Sequence, residues 1–491
     1  MLNQVQLITY VDRLSGSDLN ALHKLLQGPL ANLFGGIHLL PFYTPIDGSD
    51  AGFDPDDHLS VDPRLGDWSK VRELSQNTAV MADLIVNHLS SRSPQFLDVQ
   101  ANGRNSQWHD LFLTYDRVFP DGATEAELTA IYRPRPSLPW TPYNLGGEKR
   151  LLWTTFTPQQ LDIDVESDAG WSYLTAILDR FRDGGVSMIR LDAAGYAIKR
   201  AGTRCFMLPE TFDFIHRLSD AASERGMETL VEIHSHYQTQ IDIAERVGRV
   251  YDFALPPLIL HALFTGDAKP LANWLAISPR NCITVLDTHD GIGVMDVGAD
   301  GDKPGLLAPQ AIDQLVETIH ERSQGESRLA TGAAASNLDL YQVNCTYYAA
   351  LGERDVDYLI ARALQFFAPG VPQVYYTGLL AGSNDLDLLQ RTSVGRDINR
   401  HYYQPDELST ELKRPVVQQL LELIRLRNTH SAFDGSFDLD QPSSSRLRLA
   451  WSQGEQRLVL EVDFEQPAAR IIEGSSETPL MSWSASESGH V

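Results

Sequence analysis

The sequence predicts an α/β protein, a (β/α)8 TIM barrel with two inserted subdomains and a small C-terminal antiparallel β domain. Three observations predict it. Eight short, near-continuously apolar runs alternate with amphipathic stretches, as parallel strands buried on both faces require. Two intervals between those runs are far too long for a single helix. After about residue 433 the helical pattern gives way to strand-like alternation.

The runs are QVQLITYV (4–11), GGIHLLPFY (35–43), TAVMADLIVNH (78–88), VSMIRLDAA (186–194), METLVEIHS (227–235), RVYDFALP (249–256), NCITVLDTHD (281–290) and GVPQVYYTG (370–378). Helical patterns lie between them. SDLNALHKLLQ (17–27) carries a serine or aspartate N-cap, and WSYLTAILDRF (171–181), VDYLIARALQFF (356–367) and VVQQLLELIRLRN (416–428) follow the same logic. The long interval after the third strand is rich in Pro, Trp and Tyr, and the one after the seventh opens with glycines and aspartates. The expected division is barrel at 1–88, 167–291 and 353–432, a first insert at 89–166, a second at 292–352, and the β domain at 433–491. Both inserts leave from strand C-termini, the end where barrels carry their active sites.

That rim collects unusual chemistry. The fourth strand ends in Arg190-Leu191-Asp192, the fifth in Glu232, the seventh in His289-Asp290, and the third in Asp83, Asn87 and His88. Three carboxylates, Asp192, Glu232 and Asp290, suit cleavage of a glycosidic bond through a positively charged transition state. One attacks the anomeric carbon, one protonates the leaving oxygen, and in retaining enzymes the two lie about 5–5.5 Å apart. Arg190, two residues before Asp192, shares its strand face and is expected to keep it ionised, while neighbouring carboxylates are expected to raise Glu232. Taken singly, each of these residues has a plainer reading: a strand-end aspartate caps the next helix, and a buried histidine satisfies a carbonyl. His234 and His236 alternate as an HxH pair with no third ligand evident, and the acidic loop 47–57 departs from EF-hand spacing, so no metal is expected.

The segments ADLIVNH (82–88), IRLDAAGY (189–196), LVEIHS (230–235) and VLDTHD (285–290) resemble the four signature regions of the α-amylase superfamily. FFAPGVPQVYY (366–376) resembles its segment at strand eight. Within that superfamily, DGSDAGFDPDDH (47–58), IYRPRPSLP (131–139), FTPQQLDIDVESD (156–168), ASNLDLYQVN (335–344) and GRDINRHYY (395–403) resemble the sucrose phosphorylases. The resemblance spans nearly the whole chain and thins after residue 433.

The resemblance implies Asp192 as nucleophile, Glu232 as acid/base and Asp290 as transition-state stabiliser. It implies that Asp50, His88, Arg190, His289 and Arg396 grip the glucosyl unit between the aromatic walls Phe53 and Phe156. Tyr196, Pro134, Arg135, Asp339, Tyr341 and Gln342 fall on the acceptor side. The implied reaction is reversible phosphorolysis of sucrose to α-glucose 1-phosphate and fructose, with inorganic phosphate as acceptor, through a β-glucosyl ester on Asp192 and with no cofactor. A homodimer is implied by the same analogy. The alternatives are a phosphorylase or transglucosidase for glucosylglycerol, glucosylglycerate or sucrose 6'-phosphate, a plain hydrolase, and a non-catalytic carbohydrate-binding barrel. Pro134 and Asp339 stand where a phosphorylated fructose would favour basic residues, which favours sucrose itself.

Composition narrows the field further. A net charge of −25 argues against nucleic acid and against anionic membrane surfaces. It also opposes the approach of a phosphate dianion, so local cations must offset it, and Arg135 is the candidate because its planar fork donates two bonds at once. The three cysteines, Cys205, Cys282 and Cys345, are far apart and lack CxxC spacing. With no signal-peptide pattern and no apolar run near the ~20 residues of a membrane span, a cytoplasmic enzyme is expected.

Overall fold

The computed structural model describes residues 1–48, 50–134, 137–331 and 342–484. The eight apolar runs form eight parallel strands: β1 (Gln6–Thr9), β2 (Gly36–Leu39), β3 (Ala79–Ile85), β4 (Met188–Asp192), β5 (Glu228–Val231), β6 (Val250–Asp252), β7 (Cys282–Thr284) and β8 (Val371–Tyr375). They close into a barrel in chain order, β8 pairing back onto β1. Strand side chains alternate between the barrel interior and the helical ring. Met81, Met188, Leu230, Tyr251 and Ile283 pack as one apolar cluster. Two residues further along β3 and β4, on the same face, stand Asp83 and Arg190, paired in register. The interior therefore changes from apolar to charged as it nears the C-terminal rim.

The helices follow from their patterns. Leu19–Gln27 starts where the Asp18 carboxylate accepts from the Ala21 N–H at 2.9 Å, and it buries Leu19, Leu22 and Leu25. Asp355–Phe367 is apolar on most of its circumference because it is covered on both sides. The barrel lies on one side and the C-terminal sheet on the other. That sheet has five antiparallel strands, from Ser436–Ser443 to Met481–Ser484, and it sends Leu449, Trp451, Leu460 and Ile471 inward. The Trp451 indole N–H donates to the Phe367 carbonyl at 2.8 Å. No helix among the described residues is long and apolar enough to cross a membrane.

Between β3 and β4 the chain forms a hairpin, Trp140–Leu145 with Glu148–Trp153, and a short ladder in which His88–Ser90 pairs with Gln160–Asp162. This excursion is fastened by a buried ammonium. Lys199 Nζ lies 2.5 Å from Asp162 Oδ2 and 2.8 Å from Asn87 Oδ1, with both charged side chains essentially inaccessible. Thr155 donates to Asp162 from its N–H and hydroxyl, at 2.9 and 2.5 Å. Removing one member of a buried pair strands the other charge. Lys199→Met should therefore cost about 3–5 kcal/mol, read as a lower urea midpoint; a midpoint within error of the parent would show that the pair does not fasten the excursion.

Candidate active site

The C-terminal rim encloses a cavity of about 680 Å³, the size class of small-molecule sites. The structure brings twelve of the expected site residues to its wall: Asp50, Phe53, His88, Pro134, Phe156, Asp192, Tyr196, Glu232, His289, Asp290, Gln342 and Arg396. Arg190 lies just behind that wall, 2 % exposed. Arg135, Asp339 and Tyr341 fall outside the described residues.

Arg190 organises the floor. Its guanidinium donates to Asp83 across the β3–β4 ladder, to Asp192 Oδ1 at 3.0 Å and to Glu232 Oε1 at 2.9 Å, through NH1 for the aspartates and NH2 for the glutamate. The two reacting carboxylates thus sit on the two terminal nitrogens of one planar fork, which sets their spacing. The sequence pairs Arg190 with Asp192 alone, and the fold gives it three anions. Asp83 also takes His38 Nε2 at 2.9 Å; burial opposes its charge, but His38 and Arg190 hold it at about 2. For Asp192 the balance differs. Burial raises its carboxyl well above the usual range, Arg190 opposes that, and Glu232, Asp83 and Asp50 add to it. The expectation that Arg190 keeps Asp192 ionised is therefore corrected: one cation shared among three carboxylates does not offset burial.

The turn after Asp192 is sharp. Ala193 adopts φ 54° and ψ 26°, left-handed backbone that costs an alanine roughly 1–2 kcal/mol. Its N–H reaches Glu232 Oε2 at 3.4 Å, so the bend joins the two reacting carboxylates from the main chain as Arg190 does from below.

Asp290 faces them from a different support. β7 stops at Thr284, six residues before it, not at 289–290 as the apolar run suggests. The strand ends early because the polar groups beyond it bond to side chains instead of a neighbouring strand. Asp287 takes Arg362 at 2.7 Å, and a Cβ on Gly378 would lie 2.0 Å from either partner, so only glycine fits beside them. Arg396 pairs with Asp290 Oδ1 at 2.7 Å. Burial alone would raise the Asp290 carboxyl, but Arg396, with Arg400 and His234, holds it far below the usual range. Burial pushes the His289 imidazole well down, so it faces the cavity neutral.

The aromatic walls also take their places. Phe53 stacks on His289 with centroids 4.6 Å apart, and Phe156 meets His88 and Tyr196 edge-on. His88 Nε2 donates to the Phe53 carbonyl at 3.0 Å, and burial lowers its basicity.

Other lining residues carry no expectation from sequence: Tyr132, Gln160, Arg204, Phe206, Asp296 and Lys303; His234, from the HxH pair, lines the cavity with them. His234 is stacked on Phe253 and lies 3.4 Å from Asp296 Oδ2. Burial works against its charge, but Asp296 and then Glu232 and Asp290 raise its basicity. His236 also lines the cavity, but its Nε2 donates to the Pro304 carbonyl at 3.0 Å, so the two histidines make different contacts. Glu232, His234 and Asp290 place ligand-type atoms within 4.8 Å of one another. Arg190 and Arg396 already engage the two carboxylates, which opposes a further cation there. In the acidic loop, Arg64 takes Asp47 and Asp62, and Asp57 accepts from Ser60.

Comparison with known proteins agrees with this geometry. Residues 32–250 match the family model "Alpha amylase, catalytic domain". The chain is 62 % identical over 473 residues to a sucrose phosphorylase of Agrobacterium vitis, covering 96 % of this chain and 97 % of that protein. It is 52 % identical to a sucrose phosphorylase of Bifidobacterium adolescentis, covering 100 % of this chain and 97 % of the relative. The crystal structure of a sucrose 6F-phosphate phosphorylase from Thermoanaerobacter thermosaccharolyticum superposes with a TM-score of 0.88 at 36 % identity, over 99 % of this chain and 98 % of the other. A closed eight-stranded barrel with three carboxylates on its rim and full-length likeness of this degree lead to one conclusion: the chain is an enzyme that belongs to the sucrose phosphorylase family, within the α-amylase superfamily.

Proposed function

We propose that the protein phosphorolyses sucrose reversibly, with retention, to α-glucose 1-phosphate and fructose. The observation that carries this reading is the placement of Asp192 and Glu232 on the two arms of Arg190 at the cavity floor, with Asp290 beside them. An Asp192 oxygen attacks the anomeric carbon as its bond to the fructosyl oxygen breaks, and Glu232 gives that oxygen its proton. The step requires Asp192 to attack as the carboxylate and Glu232 to bring the proton it donates. Asp290, held ionised by Arg396, opposes the positive charge that develops at the sugar ring. A phosphate oxygen then attacks the same carbon from the face fructose left, the ester to Asp192 breaks, and Glu232 takes up the phosphate proton. The carboxylates account for every proton and electron pair, so no cofactor takes part.

The acceptor dianion meets an acidic protein. Arg204 and Lys303 line the cavity and supply local positive charge. We assign Arg135 and Tyr341 to phosphate as well, with Tyr196, Pro134, Asp339 and Gln342 on the fructose side. A second reading, in which fructose itself carries phosphate, is supported by the same Arg204 and Lys303. Pro134 on the wall favours plain sucrose. Three free cysteines suit a reducing, cytoplasmic setting.

Incubation with sucrose and phosphate is expected to yield glucose 1-phosphate in excess over free glucose, and kcat/KM for sucrose should exceed that for sucrose 6F-phosphate. Glucose alone would mark a hydrolase, and the reverse preference would move the assignment to the second reading. Asp192→Asn should lose about 10⁴-fold or more in kcat; turnover at the parent rate would sink the double displacement.

Titration gives a separate check. Glu232 is one of the charges that raise Asp192. In Glu232→Gln, assayed with an activated α-glucosyl donor that needs no acid, the acid limb of kcat/KM should move to lower pH. The sign follows because removing a like charge lets Asp192 ionise earlier; a stationary limb would show that the two groups are not coupled. Arg135→Ala should raise the KM for phosphate and shift products toward hydrolysis, and an unchanged ratio would remove Arg135 from the acceptor site.

A further inference from the structure

β7 ends at Thr284, yet Asp290 and His289 must hold still at the sugar. With no strand ladder to fix them, their backbone needs other partners. The short 3₁₀ turn Gly395–Asn399 and the residue after it provide them. Asn399 Nδ2 donates to the Asp290 carbonyl at 2.9 Å and to the Thr288 carbonyl at 3.3 Å. Arg400 Nε donates to the His289 carbonyl at 2.8 Å. Three successive carbonyls are thus held by two adjacent side chains. Arg400 NH2 also lies 3.9 Å from Asp290 Oδ1, while its NH1 stands 3.7 Å from Asp397. Asn399 and Arg400 are 2 % and 1 % exposed, and neither lines the cavity. Arg396, which pairs with the Asp290 carboxylate, belongs to the same turn.

We propose that Asn399 and Arg400 are positioning residues for catalysis: they clasp the main chain of 288–290 so that Asp290 and His289 keep their place against the glucosyl unit. The inference rests on the role given above to Asp290. It assigns a task to residues that touch no substrate, and it predicts which kinetic constant responds. Asp290 acts on the glucosyl carbon in both half-reactions, so loosening it slows transfer from sucrose and from glucose 1-phosphate alike. Acceptor binding is built from other elements and is left alone.

The test compares Asn399→Ala, Arg400→Lys and Arg400→Met with Asp290→Asn, in the full chain. Active-site content is normalised by trapping the glucosyl ester, and Tm is recorded for each. Asn399→Ala should lower kcat per active site by about 10- to 100-fold. The factor should be the same for either glucosyl donor, with the KM for phosphate unchanged. Arg400→Lys, which keeps a charged donor near the His289 carbonyl, should retain more kcat than Arg400→Met. Should Arg400→Met fail to fold, Asn399→Ala and Arg400→Lys still decide. A lowered Tm with kcat per site intact would overturn the proposal, because the clasp would then be structural only. A raised KM for phosphate at unchanged kcat would overturn it too. Asp290→Asn turning over normally would instead remove the role of Asp290 on which the proposal stands, and the two failures are thereby told apart.

Discussion

The site depends on one buried guanidinium. Arg190 has three carboxylates around it, drawn from β3, β4 and the end of β5. A buried ion pair gains little net stability once desolvation is subtracted. This one makes better sense as a jig: a planar fork with fixed angles holds two reacting groups at one spacing. The arrangement leaves more negative than positive charge on the floor, and it is this surplus, met in a buried place, that makes one proton worth keeping. Asp83, pinned by His38 as well, does not give way, so the upward shift falls on Asp192.

Much of the barrel is legible along the chain, because a strand buried on both faces must be apolar throughout. All eight runs appear in order, and Asp192 and Glu232 follow from their place at strand ends. The third carboxylate shows where such reading stops. The run through 281–290 looks like one strand, but its ladder ends at Thr284, and the carbonyls of 288–290 bond instead to Asn399 and Arg400, more than a hundred residues away. The triple role of Arg190 is hidden in the same way, because register between β3 and β4 is a property of closure and not of either strand alone. Asp296, Arg204 and Phe206 carry no short motif; their place depends on the path of irregular chain between barrel strands.

The two long excursions divide the labour. The barrel supplies the groups that make and break bonds, on rigid strand ends. The first excursion adds Tyr132, Pro134, Phe156 and Gln160, and the second Asp296, Lys303 and Gln342. A family that changes its acceptor while keeping the glucosyl chemistry can do so by altering these segments, leaving the jig untouched.

The C-terminal sheet looks remote from all this, but it is not mechanically separate. It covers one side of the helix Asp355–Phe367, and Arg362 on that helix reaches through to grip Asp287 at the base of the segment that ends in Asp290. The helix is thus a lever with the sheet as its backing plate. Shortening the chain before Ser436 would bare the backed side of the lever to water, and the slackness would travel along Arg362 to the far end of the barrel, dulling turnover before the fold itself gave way.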